Sequence, residues 1–177
     1  NSINAIYVQT WTGTCNIYNN KLITLRANAL AQTTLKPLYG ILLYNTNVDA
    51  PAGQTANVYN NFISDFGYTG DAASYPSEIN GIAVDAYGQT TNLYYNTIYI
   101  NNTNITSNPV YGIRVYDDSL QTVNLKNNII VNTVNYDSAY AIYRGVMATN
   151  ATINSDHNDL YVSGANANIG NYGGTKC

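Results

Sequence analysis

The sequence predicts an all-β solenoid of about five rungs, and three observations carry that prediction. The first is a repeat, Thr-x-Asn-x-x-x-Asn-x-(Leu/Ile). It occurs at Thr14/Asn16/Asn20/Leu22, Thr55/Asn57/Asn61/Ile63, Thr90/Asn92/Asn96/Ile98, Thr122/Asn124/Asn128/Ile130 and Thr152/Asn154/Asn158/Leu160. Offsets inside the motif are constant, while successive copies start 41, 35, 32 and 30 residues apart. A solenoid permits this because each rung contacts only its neighbours, so loop length is free. The second observation is a small residue followed by alternating apolar positions ahead of every copy: Ala5-Ile6-Tyr7-Val8, Gly40-Ile41-Leu42-Leu43, Gly81-Ile82-Ala83-Val84, Gly112-Ile113-Arg114-Val115 and Ala141-Ile142-Tyr143-Arg144. The third is composition. The 177 residues include 29 Asn, 19 Thr and 18 Tyr, which favour turns and strands. No segment keeps a 3.6-residue period, and units of 30–32 residues are short for a propeller blade of about 40–45.

Strand alternation assigns the faces in order. In the first strand of each unit the small residue is read as the exit of a tight turn. Ile6/Val8, Ile41/Leu43, Ile82/Val84 and Ile113/Val115 then point inward. Arg144 breaks the alternation in the fifth copy, which predicts a bulge or the end of the regular core. In the second strand the inward columns are Cys15, Ala56, Thr91, Val123, Ile153 and Ile17, Val58, Leu93, Leu125, Ser155. Leu22, Ile63, Ile98, Ile130 and Leu160 begin the third. The second Asn of the motif falls at the bend between strands two and three. Rungs stack about 4.8 Å apart, so Asn20, Asn61, Asn96, Asn128 and Asn158 can bond amide to amide as a structural ladder. Asn also tolerates the left-handed backbone such a bend needs. Segments 27–38, 68–79 and 101–110 read as variable loops. One domain is expected over 1–164, followed by a Gly/Asn-rich C-terminal tail over 165–177.

The outward columns of the second strand read Thr14, Thr55, Thr90, Thr122, Thr152; Asn16, Asn57, Asn92, Asn124, Asn154; and Tyr18, Tyr59, Tyr94, Lys126, Asp156. One reading is that Thr and Tyr are simply good strand formers. The other is a lateral binding face for glycan or protein, carrying a three-ring stack of Tyr18, Tyr59 and Tyr94.

Charge narrows the function classes. Seven Lys+Arg against ten Asp+Glu give a net charge of −3, and no basic cluster is present to neutralise phosphates. No apolar run approaches the roughly 20 residues of a membrane helix. The expectation is therefore no nucleic-acid partner and no membrane insertion. No leader precedes Asn1, so the chain reads as a mature form or a fragment. Asn101, Asn104 and Asn150 match the N-glycosylation pattern at a frequency chance explains in so Asn-rich a chain.

The runs Tyr18-Asn19-Asn20, Tyr59-Asn60-Asn61 and Lys126-Asn127-Asn128, each followed by apolar residues, resemble the right-handed parallel β-helix of the pectin lyase-like superfamily. More narrowly, the chain is similar to β-helix repeat regions of large bacterial secreted and cell-surface proteins, as is its ending at Asn158-Asp159-Leu160-Tyr161-Val162. The resemblance covers nearly the whole chain. It implies a right-handed parallel β-helix of about five rungs, a fold that hosts lyases, hydrolases, adhesins and structural parts.

Lyase or hydrolase chemistry needs clustered carboxylates or an arginine base. The chain has one Glu, Glu78, in a Pro/Ser loop, and none of the polygalacturonase-like Asn-Thr-Asp, Gly-His-Gly or Arg-Ile-Lys patterns. Asp85, Asp117 and Asp118 are a calcium candidate through oxygen ligands, with solvated turn aspartates as the plainer reading. His157 reads as a turn residue, and Arg114 as a solvated arginine near aspartates.

The expected function is a non-catalytic extracellular structural or adhesive module at the cell surface, without cofactor except for that calcium candidate. The alternatives are a polysaccharide lyase or hydrolase and a carbohydrate-binding module. Self-association is expected end to end or laterally, since neither end shows a capping helix. Cys15 is expected inward, as a buried thiol or as half of an intermolecular bond to Cys177.

Overall fold

Three parallel sheets wrap one apolar core. The computed structural model describes residues 2–28, 36–45, 53–69, 78–101, 109–116, 120–136, 138–145, 151–164, 167–172 and 175–176. Each rung contributes one strand to each sheet. Rung one is Ile3–Gln9, Thr14–Tyr18 and Lys21–Ile23, and rung two is Leu38–Asn45, Thr55–Tyr59 and Phe62–Ser64. Rung three is Ile79–Ala86, Thr90–Tyr94 and Thr97–Ile100, and rung four is Val110–Val115, Thr122–Lys126 and Ile129–Asn132. Rung five is Ala139–Arg144, Thr152–Asp156 and Asp159–Val162. Like strands pair in parallel from rung to rung, with the motif in register: Thr14, Thr55, Thr90, Thr122 and Thr152 lie side by side in the second sheet. The chain is a parallel β-solenoid. Among the described residues there is no helix.

The predicted inward columns form the core. Ile41, Ile82, Ile113, Leu43, Val84 and Val115 from the first sheet are fully buried against Val58, Leu93, Ile63, Ile98 and Ile130 of the other two. Each such aliphatic contributes about 1.5–3 kcal/mol by leaving water. The rungs at either end are less covered: Ile6, Val8, Leu22, Ile153 and Leu160 are half-buried.

Several local expectations are corrected. The small residue lies inside the first strand, two residues after its start, and a close approach explains it. A Cβ on Gly81 would sit 2.6 Å from the carbonyl oxygen of Gly112 and 2.6 Å from Cγ2 of Ile98. The left-handed residue at the bend is the one before the ladder Asn: Asn19, Asn60, Tyr95, Asn127 and His157 have φ of 50–57°. Arg144 is the last residue of its strand, in the last rung that has a strand in all three sheets, and among the described residues only the first sheet continues past it. It is buried, and its strand pairs onward, Arg144 opposite Tyr172. Part of the expected tail 165–177 belongs to the first sheet. Asn168–Tyr172 is its next parallel strand, and Thr175–Lys176 pairs back antiparallel.

The interior ladder forms as the stacked Asn positions imply. Asn20, Asn61, Asn96 and Asn128 each donate from Nδ2 to the Oδ1 of the next rung's Asn at 2.9–3.1 Å. That same Oδ1 also accepts the backbone N–H of the preceding ladder Asn at 2.9–3.2 Å. The second Nδ2 proton of Asn61, Asn96, Asn128 and Asn158 goes to the carbonyl of Ile17, Val58, Leu93 and Leu125. An amide has two protons and two lone pairs, so Asn61, Asn96 and Asn128 are fully satisfied while buried.

Candidate functional site

The outward face of each sheet has its own chemistry. On the second sheet, the columns predicted to face outward do so. The middle column forms a second asparagine ladder at the surface: Asn57, Asn92, Asn124 and Asn154 each donate from Nδ2 to Oδ1 of the Asn one rung earlier, at 2.8–2.9 Å. Its direction is opposite to that of the interior ladder. The expected three-ring stack is corrected to two rings: Tyr18 and Tyr59 stack at 5.0 Å with rings 2° from parallel, while Tyr94 turns away to donate its hydroxyl to Asn92 Oδ1. Lys126 and Asp156 form an exposed ion pair at 3.5 Å. Beside it, His157 and Lys126 hold the Asp156 carboxyl below the usual carboxylate range.

The outward columns of the first sheet are different and mostly buried, with Tyr39, Leu42 and Ala83 packed as a second apolar cluster, which the repeat alone did not reveal. Register stacks Asn4, Tyr39, Asn80, Tyr111 and Tyr140 in one outward column, and Tyr7, Leu42, Ala83, Arg114 and Tyr143 in the next. Over its first four rungs lies a groove of about 480 Å³ lined by Ser2, Tyr7, Pro37, Tyr39, Leu42, Tyr44, Asp85 and Tyr116. That volume suits a small ligand. The Tyr7 and Tyr44 rings meet at 6.3 Å.

Glu78, read from sequence as a loop residue, anchors this groove from behind. Its Oε1 accepts from the hydroxyls of Tyr39 at 2.9 Å and Tyr116 at 2.6 Å, and its Oε2 is bonded by Arg114. The pair is largely shielded, with side chains 18% and 20% exposed. This corrects the reading of Arg114 as solvated among aspartates. Its guanidinium lies 4.0 Å from the Tyr116 ring centroid and 5.0 Å from that of Tyr111, a cation–π arrangement. Burial pushes the Tyr116 hydroxyl far above the usual phenol range, against the smaller opposing pull of Arg114. Behind Arg114, Tyr111, Tyr140 and Tyr143 cluster at 4.7–5.8 Å. Aligning the units on their small residue would have exposed this tyrosine column. Glu78 itself, three residues before Gly81, had no counterpart in other rungs to draw attention to it.

Of the calcium candidates, Asp85 lies half-buried in the groove lining, and Asp117 and Asp118 lie outside the described residues. Among the described residues no group of three His, Cys, Asp or Glu side chains is placed to hold a metal. Cys15 faces inward as predicted, half-buried, with burial pushing its thiol up; Cys177 lies outside the described residues. His157 is an exposed bend residue with Nδ1 2.6 Å from Asp156 Oδ1.

Comparison with protein-family models, curated proteins and solved structures finds no match to this chain.

Proposed function

We propose that this protein is a non-catalytic extracellular adhesive module that holds a neutral or amino-sugar glycan in the groove outside its first sheet. The observation that carries the reading is the groove itself, with four tyrosines lining it and the hydroxyls of Tyr39 and Tyr116 fixed by Glu78. A sugar ring offers an apolar C–H face and a rim of hydroxyls. Tyrosine matches both, with a large rigid ring and a polar tip, and a few oriented polar groups add specificity. Among the described residues the lining carries Asp85 and no cation, which disfavours polyuronates. The likeness to pectin lyase-like β-helices accords with a polysaccharide ligand, and the low charge and high Asn and Thr content accord with an extracellular setting.

The engagement of Glu78 favours binding over turnover. Glycoside hydrolysis uses a protonated carboxyl aimed at the leaving oxygen and a second carboxylate across the bond. Glu78, the only Glu, already accepts from three donors. Its arrangement orients two tyrosines instead.

Retention on immobilised polysaccharides, neutral, amino-sugar and acidic, tests the proposal. Wild-type protein is expected to be retarded by a neutral or amino-sugar polymer, and Tyr7→Ala and Tyr44→Ala to lose about 10-fold in affinity each. Release of new reducing or unsaturated ends would overturn the non-catalytic reading. Retention by none of the polymers would overturn the glycan reading.

A further inference from the structure

The third sheet has an outward face unlike the other two. Ile23, Phe62, Tyr99, Ile129 and Tyr161, all large apolar or aromatic residues, are exposed there by 38–54%. Register places them side by side. One column reads Lys21, Phe62, Thr97, Ile129, Asp159, and the other Ile23, Ser64, Tyr99, Val131, Tyr161. Single exposed apolar residues are ordinary, but a contiguous patch running across five rungs marks an interaction surface.

The charges say what covers it. Lys21 stands at the first rung, Asp159 at the fifth, and the three rungs between carry no charge in either column. A two-fold axis along the strand direction, placed at the third rung, reverses each column onto itself. Lys21 then meets Asp159 of the second copy, Phe62 meets Ile129, and Thr97 meets Thr97. In the other column Ile23 meets Tyr161, the small Ser64 meets Val131, and Tyr99 meets Tyr99. Both ends gain opposite charges and the middle gains apolar contacts, so the face is self-complementary.

We propose that the outward face of the third sheet pairs with the same face of a second copy of this chain, with solenoid axes antiparallel. Five rungs at ~4.8 Å by three or four residues at ~3.3 Å give a footprint of roughly 300 Å² per copy. That is below the ~800 Å² per partner of a standard stable complex, so the pair is a reversible one. An isologous contact closes at two copies. The dimer presents two grooves, which multiplies avidity for a repeating polymer. The pairing does not depend on the glycan reading, because oligomeric state reads it alone.

Sedimentation equilibrium on the intact chain, from micromolar to millimolar, is the test. Wild-type protein is expected to follow a monomer–dimer equilibrium. Ile129→Lys should weaken it by at least about 10-fold through the apolar centre. Lys21→Asp and Asp159→Lys should each weaken it by about 10-fold, since each turns two symmetric attractions into repulsions. The double variant Lys21→Asp/Asp159→Lys should recover to within about 3-fold of wild type, since opposite charges meet again. Both charge sites are exposed, so this swap decides the matter even if Ile129→Lys fails to fold. A monomer throughout the range, assembly beyond two copies, a dimer indifferent to Ile129→Lys, or a double swap no better than its single parents would each overturn the proposal.

Discussion

Replacing Asn96 by alanine tests how the solenoid is held together. Its Oδ1 accepts from the N–H and Nδ2 of Asn61 at 3.2 and 2.9 Å, and its Nδ2 donates to Val58 O at 2.8 Å and Asn128 Oδ1 at 3.1 Å. In the alanine variant Asn61 Nδ2 keeps the Ile17 carbonyl, and Asn128 Oδ1 keeps the Asn96 N–H. The Asn61 N–H and the Val58 carbonyl lose the partner Asn96 supplied. Two buried polar groups left this way cost about 1–3 kcal/mol each, which sets the expected loss at about 3–5 kcal/mol with the small void included. Asn92 is the control. It lies four residues earlier, in the strand before the bend, on the surface ladder, with side-chain bonds to Asn57, Asn124 and Tyr94. Water replaces those bonds, so Asn92→Ala should cost under about 1 kcal/mol. Urea unfolding of the three proteins, compared at equal m-values, gives both numbers. Losses equal to within about 0.5 kcal/mol would refute the argument that burial separates the two ladders.

Other consequences follow from the same geometry. Gly81→Ala drives a methyl group against the Gly112 carbonyl and Ile98, and should destabilise by about 3 kcal/mol, whereas Gly88→Ala, at φ +68° with open space, should cost about 1 kcal/mol; both are read by urea unfolding. Tyr95 holds a left-handed φ of 56° where three other rungs place Asn, so Tyr95→Asn should stabilise by about 0.5–1 kcal/mol in thermal melts. The Tyr116 hydroxyl titrates above its unfolded value because burial favours the neutral form. Its contribution is therefore complete below about pH 10 and lost as pH rises further. Chemical unfolding between pH 9 and 11 should show stability falling less in Tyr116→Phe than in wild type; equal falls would mean Tyr116 ionises without penalty.

The repeat made the rungs, inward columns and interior ladder legible because every rung repeats the same local problem. Packing and amide bonding demand Ile41, Ile82 and Ile113, or Asn61, Asn96 and Asn128, at constant offsets. The groove was not legible for the opposite reason. Glu78 and Arg114 meet from different rungs, on a face where one column mixes Asn with Tyr39, Tyr111 and Tyr140 and the next mixes Leu42 and Ala83 with Arg114, so neither side chain announces its partner. The surface Asn column was constant, yet constancy alone did not distinguish a ladder from a binding face. Gln54, Gln89 and Gln121, each just before a motif Thr, are buried at the corner between the first and second sheets, with Gln89 Nε2 donating to Gln54 Oε1 at 3.2 Å. That column too was present in the sequence, hidden because rungs one and five carry Gly13 and Ala151 there instead.

A glycan bound on the first sheet would lie against the tyrosines aimed by Glu78. Fluorine NMR of protein labelled with 3-fluorotyrosine, titrated with an oligosaccharide of the retaining polymer, tests it most directly, with each resonance assigned by a Tyr→Phe variant. Saturable shifts are expected at Tyr7, Tyr39, Tyr44 and Tyr116, with Tyr18 and Tyr59 on the second sheet unmoved. Shifts confined to Tyr18, Tyr59 and Tyr94, or no saturable shift at any of the 18 tyrosines, would contradict it.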